Sequence, residues 1–399
     1  MSKLNLIIGQ SGGATAVINA SLVGAVEAAR QSERIGGIYG MLYGVEGLLK
    51  EDLVDLRQQP VDLWSHLLHT PSAALGTCRY KLQEEDPARV IDILRRYDIH
   101  ALLYIGGNDS ADTTHRIAQA AQQAGYDLLA ISVPKTIDND LPVTDHCPGY
   151  GSAARFIALA TIDSTMNTKS IPTHYPVKVI ETMGRDAGWL AASSALGKRD
   201  EDDAPHILLL PEQRFNAQRF LSQVEEVYRR VGYVIIVTAE SIRDEQGQAL
   251  GEVGQVGVDA FQHPLFSGAA QQLVELVKRE LKLRARFEKP GDLQRMASNA
   301  ISWPDRDEAY LVGKRGLLAL LEGESDKMVT LIRQSVTPYS CTTGLAALSE
   351  VANVQRLMPD EYLDAGKTMV TRAFYDYALP LIGESLPVYP ELAKKRVEQ

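Results

Sequence analysis

Cysteine is scarce in this sequence and long apolar runs are missing, and each shortage narrows the field. Cys78, Cys147 and Cys341 are three in 399 residues, odd in number and without any CxxC spacing. That excludes a disulfide-stapled scaffold and a cysteine-built zinc site, and reads as reduced thiols in a cytoplasmic protein. No apolar stretch approaches the roughly 18 residues that span a bilayer. The opening MSKLNLIIGQSGG has neither the apolar core nor the cleavage site of a signal peptide. Excess basic charge is absent too: the net charge of −10 argues against nucleic acid or an anionic membrane as partner. There is no low-complexity tract and no internal repeat. Two phosphate-binding signatures are also missing, since no GKS or GKT follows a glycine turn and GxGxxG does not occur.

What is there is ordinary in amount and specific in arrangement. The chain is 45% hydrophobic and 23% charged, as globular proteins are, and long enough for two or three domains. Short apolar runs alternate with helical spacing. Strands are expected at 4–8, 101–105, 128–133, 177–182, 206–210 and 233–238, and helices at 16–29, 89–97, 111–124, 149–163, 188–196, 220–230 and 362–379. Strands separated by helices of ten to fifteen residues imply βαβ units. The expected fold class is α/β, with two Rossmann-like lobes of largely parallel sheet flanked by helices. Ligands of such sheets sit outside the carboxyl ends of the strands, which puts the active site in the cleft between the lobes.

The unusual residues fall at those strand ends. Gly9–Asn19 (GQSGGATAVIN) is a glycine-rich turn, either a phosphate cradle with Gly12 and Gly13 at its centre or a bend that needs glycine for geometry alone. Gly106–Ser110 (GGNDS) sets Asn108 and Asp109 where a phosphate is expected, although both are also good helix N-caps. Pro134–Pro142 (PKTIDNDLP) is the most specific. Two prolines hold an irregular loop, and Asp138 and Asp140 share one side of an extended backbone. One carboxylate there is suited to deprotonating a hydroxyl while the other holds the base or a metal, with Lys135 to stabilise phosphoryl charge. A surface turn rich in Asp and Asn is the bland alternative. Glu181–Gly188 (ETMGRDAG) puts Arg185 over the same cleft. Glu240 ends an apolar strand, as an acceptor for sugar hydroxyls or in an ion pair with an arginine.

Taken in order, SGG, GTCRYK (Gly76–Lys81), GGNDS, PKTIDND, ETMGR and AES resemble the phosphofructokinases, over a stretch from about Ile7 to about Lys327. The resemblance implies phosphoryl transfer to the 1-hydroxyl of fructose 6-phosphate, with Mg2+. Asp138 matches the base and Asp140 its acidic neighbour. Thr136, with Ile137 beside it, matches a contact to the sugar phosphate and the transferring group. Met183, Gly184 and Arg185 match the segment holding the sugar phosphate and the transition state, and Glu240 the sugar-hydroxyl acceptor. Gly12, Gly13, Arg79 and Gly107 match the donor side. Arg286 and Arg295 match the pair that clamps the 6-phosphate; one of them typically comes from a neighbouring subunit, which implies a homodimer or homotetramer. The resemblance divides the chain into a donor lobe, 1–148 plus about 296–342, and a sugar-phosphate lobe, about 149–295 plus 343–399.

The departures from the family pattern carry as much information. ATP-using members have Gly-Asp-Gly-Ser where this chain has Gly107–Ser110, and glycine where it has Lys135. An acid at the first place and a lysine at the second mark the pyrophosphate-using branch, and both are present. Asp109 projects a carboxylate where the α-phosphate of a nucleotide lies, and two anions ~4 Å apart repel by several kcal/mol in a protein-like dielectric. Pyrophosphate has no α-phosphate. The alternatives are an ATP-dependent enzyme of the same fold and a non-catalytic sugar-phosphate sensor. Asn108 stands where the family places a magnesium-associated Asp; its amide oxygen ligates more weakly, and Asp109 is expected to share that duty. Asp292 stands where a histidine is familiar. Pro176 replaces a subunit-crossing arginine of the ATP branch, with Lys178 or His174 as candidates to substitute.

Overall fold

The computed structural model describes residues 3–258, 264–366 and 368–393. Its first sheet has seven strands. β1 (Leu4–Gln10), β2 (Ile35–Met41), β3 (Leu53–Asp55), β4 (Ile99–Gly106) and β5 (Leu129–Pro134) come from the first third of the chain. In the second sheet, β6 (Val177–Thr182), β7 (Ile207–Leu209) and, after the two-residue β8 (Arg214–Phe215), β9 (Val234–Ala239) follow. Then come β10 (Arg243–Asp244), β11 (Glu252–Val258), β12 (Pro264–Ser267), β13 (Ala285–Glu288), β14 (Lys327–Val336) and β15 (Tyr339–Ala347). The seven-stranded order is β15-β14-β5-β4-β1-β2-β3, and the four-stranded order is β13-β6-β9-β7.

Burial explains why these runs are strands. Along β1, Leu6 and Ile8 face one cluster, with Leu22, Val26 and Val312, while Ile7 faces another, with Val90, Ile91 and Ile117. A strand covered on both sides has to be apolar throughout, and its neighbours pair in parallel. Antiparallel pairing occurs only at the rims of this sheet, β2 with β3 and β14 with β15. The second sheet is parallel throughout. Helices Ile18–Gln31 and Trp303–Leu321 cover one face of the first sheet and meet closely, for a Cβ on Gly24 would stand 2.1 Å from the Tyr310 carbonyl oxygen. Among the described residues no helix is long and apolar enough to cross a membrane.

Three expectations need correction. First, β15 runs to Ala347 within the first sheet, so a boundary at 342/343 would cut a strand. The short helix Leu348–Val351 that follows packs with Ala111, Leu141 and Met328. Second, residues 362–379 are not one helix: a turn of 3-10 helix at Asp360–Tyr362 and a helix at Arg372–Ala378 flank a bend. Asp364 makes the bend, its carboxylate accepting the backbone N–H groups of Thr368 and Met369. A short polar side chain two residues before Gly366 turns the chain more readily than it continues a helix. Third, the first helix begins at Ile18 rather than Ala16. Its N-terminus lies several residues beyond Gly13, so the glycines do not deliver a helix dipole.

Candidate active site

The carboxyl ends of β1, β4 and β5 in one sheet and of β6 and β9 in the other converge on a cleft of about 400 Å³. Each strand end contributes a bend with its own mechanical reason. After β1, Gly12 has φ of +74°. A Cβ on Gly12 would meet Lys135 Nζ at 3.2 Å, and one on Gly13 would meet Arg295 Nη1 at 2.6 Å. Gly12 suits that left-handed backbone, and a side chain at Gly13 would displace the Arg295 guanidinium from its place. Lys135, 4% exposed, donates from Nζ to the Gly13 carbonyl oxygen at 2.8 Å. Burial pulls its pKa down to about 8, against the opposing pull of Asp138.

After β5 the acid loop is held by its odd residue out. Asn139 is fully buried with φ of +56°. Its amide donates to the Tyr377 hydroxyl at 2.8 Å and accepts the Cys147 N–H at 3.0 Å. With Asn139 turned inward, Asp138 and Asp140 are both left lining the cleft. Arg185 Nε lies 3.9 Å from Asp138 Oδ2. Burial raises the Asp138 pKa, and Arg185, Lys135, Arg295 and Arg79 counter it. Burial, then the Asp138 charge, lifts Asp140 to about 6 and Glu240 to about 7. Two carboxyls that titrate near 6 and 7, beside the raised Asp138 and inside a ring of cations, form a site able to take and give protons near pH 7.

On the second sheet, Gly184 (φ +136°) and Arg185 (φ +51°) make the turn that aims Arg185 inward. The Arg185 N–H donates to Glu240 Oε1 at 3.2 Å, and the Met183 N–H to Gln294 Oε1 at 3.0 Å. Glu240 therefore serves as a backbone anchor within this chain, and Gln294 is a supporting residue that the sequence did not reveal.

Residues 5–313 match the family described as Phosphofructokinase. The chain belongs to the phosphofructokinase family. A protein of Methylococcus capsulatus named pyrophosphate–fructose 6-phosphate 1-phosphotransferase is 41% identical, over 98% of this chain and 94% of its own. One of that name from Halomonas elongata is 39% identical, over 100% and 98%. The crystal structure described as a pyrophosphate-dependent phosphofructokinase from Nitrosospira multiformis superposes with a TM-score of 0.87 at 38% identity, covering 97% of this chain and 94% of that one.

Against the family's pattern, most expected residues meet in the cleft: Gly12, Gly13 and Arg79 from the N-terminal part, Gly107, Asn108 and Asp109 after β4, Lys135, Thr136, Ile137, Asp138 and Asp140 after β5. Met183, Arg185, Glu240 and Arg295 close it from the other side. Gly184 acts through the bend alone. Asp292 is turned to Arg295, 2.9 Å away. Arg286 is not in the cleft: it pairs in register with Lys178 at the start of β6, the end remote from Met183, where it donates to Asn167 and lies 5.2 Å from the Tyr175 ring. Lys178 is buried against Glu288 at 2.9 Å, and His174 precedes the strand.

The capping alternative for GGNDS also changes. The helix runs Asn108–Gln123 and Gly107 caps it without a side-chain bond. The Asn108 amide instead reaches the C-terminal segment: Oδ1 accepts the Asn353 N–H at 2.6 Å and Nδ2 donates to the Val354 carbonyl oxygen. Asn353 and Gln355, which lie in no motif, thereby become walls of the cleft, joined by Ser110 of GGNDS and Asp186 of ETMGRDAG. Among the described residues no group of three His, Cys, Asp or Glu side chains has the geometry of a metal cage.

Proposed function

We propose that this chain transfers a phosphoryl group from pyrophosphate to the 1-hydroxyl of fructose 6-phosphate, giving fructose 1,6-bisphosphate and phosphate, and that it works in both directions. The observation that carries the donor assignment is the pairing of Asp109 and Lys135 in one cleft, with the lysine hydrogen-bonded to the Gly13 carbonyl. The acidic side chain opposes the longer polyphosphate of a nucleotide, and the cation serves the shorter donor.

In this reading Asp138 accepts the proton of the sugar 1-hydroxyl. The freed oxygen attacks one phosphorus of pyrophosphate, the bridging P–O bond breaks, and the other phosphate departs with the electron pair. Arg185 and Lys135 face the oxygens on which charge accumulates, and positioning with electrostatic stabilisation supplies most of the catalysis in such transfers. Asp140 holds the loop's second charge and tunes Asp138. Thr136, Ile137, Met183, Gly184 and Glu240 shape the sugar side, and Gly12, Gly13, Arg79 and Gly107 the donor side. Arg295 meets the sugar phosphate, with Asp292 steadying it.

A divalent cation fits the oxygen-rich chemistry of this cleft. A small hard ion such as Mg2+ takes one or two carboxylates and fills its remaining positions with substrate phosphate and water, so it needs no protein cage. Asp109 is the side chain best suited to hold it, and the ion supplies neutralisation of phosphate charge. Arg286, remote from its own cleft, supports a homodimer or homotetramer in which it serves a neighbour. We assign the lobes as 3–148 with 296–351, and 149–295 with 352–393, and the cytoplasm as location.

A panel of pyrophosphate and ATP against fructose 6-phosphate with magnesium tests the reading. Turnover with pyrophosphate and not with ATP is expected; turnover with ATP alone would transfer the chain to the other branch.

A further inference from the structure

After the helix Leu348–Val351 the chain crosses the mouth of the cleft before entering the second lobe. The crossing is short and tied at several points. Asn108, at the first turn of the Asn108–Gln123 helix, grips the backbone of Asn353 and Val354 with both atoms of its amide. The Asn353 side chain donates to Asp112 on the same helix at 2.8 Å. Three residues on, Arg356 spreads its guanidinium over the acid loop and the residues after it: Nη1 donates to the carbonyl oxygens of Thr144 and Asp145 at 2.6 and 2.8 Å, and Nη2 to that of Asn139 at 2.8 Å. Its own N–H donates to the Asp140 carbonyl oxygen at 2.7 Å. The guanidinium also lies 4.8 Å from the Trp189 ring, on the second lobe, and Glu212 accepts the N–H groups of both Gly188 and Met358.

We propose that Asn353–Arg356 is a strap that sets the distance between donor and base, that Asn108 is its latch rather than a magnesium ligand, and that Arg356 is a positioning residue for Asp138 and Asp140. Within four residues the strap touches the helix bearing Asp109, the loop bearing both acids, and Trp189, which opens the short helix after Arg185. An amide suits the latch where a carboxylate does not. Asn offers one acceptor and one donor, and the strap presents one backbone N–H and one carbonyl. An aspartate at 108 would face the Val354 carbonyl oxygen with a second acceptor. Arginine suits the clamp because its planar fork reaches carbonyls on both sides from two separate nitrogens, whereas the donors of a lysine ammonium all leave one nitrogen. The kinetic part of the proposal rests on the pyrophosphate-dependent reading; the latch does not.

Asn108→Asp and Arg356→Lys, each compared with the unaltered protein, test this. Amide hydrogen exchange in 352–357, measured without substrate or metal, is expected to quicken at least about tenfold in Asn108→Asp, since its backbone bonds then open without global unfolding. In the same variant kcat falls about 10–100-fold, because small misplacements of reacting groups cost that much, and the magnesium requirement does not improve. Arg356→Lys lowers kcat by a similar factor while both KM values stay within about threefold. Unchanged exchange in Asn108→Asp together with a lower magnesium requirement would overturn the latch and return Asn108 to the metal. Arg356→Lys with full kcat per active site, or with a loss explained wholly by a smaller folded fraction, would reduce the clamp to a structural tie; if that variant does not fold, kcat in Asn108→Asp decides. An unaltered protein that ignores pyrophosphate would defeat the proposed function while the exchange result still judged the latch.

Discussion

Lys135 donates its Nζ to the carbonyl oxygen of Gly13 across 2.8 Å, so the cation that distinguishes the donor branch is also the tie between the ends of β5 and β1. Its pKa of about 8 means that it is charged at neutral pH and loses its proton in mild alkali. In the free enzyme kcat/KM for pyrophosphate is expected to fall above about pH 8. Lys135→Arg, which stays charged to far higher pH, should move that limb upward by at least about one unit, and Lys135→Met should lower kcat/KM at every pH. A limb that stays in place in Lys135→Arg would assign it to another group.

The proton acceptor gives a second test. Asp138→Asn keeps the size of the side chain and removes proton acceptance, so kcat should drop by about 10²–10⁴ while the KM for fructose 6-phosphate changes little. Relief of charge beside Asp140 and Glu240 is also expected to tighten binding of the anionic substrates slightly. Turnover near that of the unaltered enzyme would dismiss Asp138 as the base.

Glu240 predicts a stability effect whose sign depends on pH. Its folded pKa of about 7 lies above the ordinary 4.5. A carboxyl raised in this way favours the folded state when protonated: that contribution is complete below about pH 4.5 and is lost as pH rises through 7. Glu240→Gln is permanently neutral and can still accept the Arg185 N–H. It should therefore stabilise the unliganded protein by on the order of 2 kcal/mol at pH 8 and by almost nothing at pH 4.5. Denaturant melts at the two pH values read the difference; equal shifts would mean that the side chain's charge is not what the fold resists.

Which parts of this site were legible beforehand follows from where its information lies. Local turn chemistry is written in the chain, so PKTIDND and GGNDS could be placed at strand ends and the strand Val177–Thr182 bounded correctly. That Lys135 and Arg295, from distant positions, lie against Gly12 and Gly13 was not legible, because only the fold brings them together. Asn108 looked like a cap or a metal ligand since the backbone it grips lies some 245 residues away. Arg356 sits in no motif at all. Its value comes from carbonyl groups, which every residue carries and no sequence advertises. The resemblance leaves open which of Arg286 and Arg295 comes from a neighbouring subunit, and only the β13–β6 register reveals that Arg286 stands at the end of the strand remote from its own cleft.

That displacement makes a prediction about assembly. If Arg286 serves a neighbour's cleft, Arg286→Ala and Asp138→Asn should each be nearly inactive alone, the first through a raised KM for the sugar phosphate. Mixed after co-expression, the two should recover up to about a quarter of full activity, since half of random dimers are hybrids and one of their two sites is intact. Arg295→Ala mixed in the same way should recover only if its partner site also lies across the interface. Its contact with Gly13 of its own chain argues against that. No recovery with Arg286→Ala would return that residue to a structural role beside Tyr175 and Asn167.

Donor choice is the most demanding test, because the same residue has a bland alternative. Asp109 lines the cleft at the start of the Asn108–Gln123 helix, where an acid also improves the helix by facing its dipole, typically by 0.3–1 kcal/mol. If the carboxylate excludes nucleotide, Asp109→Gly should let ATP bind and turn over, while pyrophosphate activity declines with the loss of a magnesium-holding group. Adding Lys135→Gly removes the cation matched to the short donor and opens the space above Gly12. The double variant should therefore shift the pyrophosphate-to-ATP ratio by several powers of ten, each ~1.4 kcal/mol of relieved repulsion being worth tenfold. If Asp109 served only the helix, the glycine variant would lose stability by about 1–2 kcal/mol, the helix propensity and the dipole contact together, and keep its donor ratio. Steady-state kinetics with both donors, set beside a melt of the same preparation, separate the two. A folded Asp109→Gly enzyme with an unchanged ratio would mean that the carboxylate plays no part in choosing the phosphoryl donor.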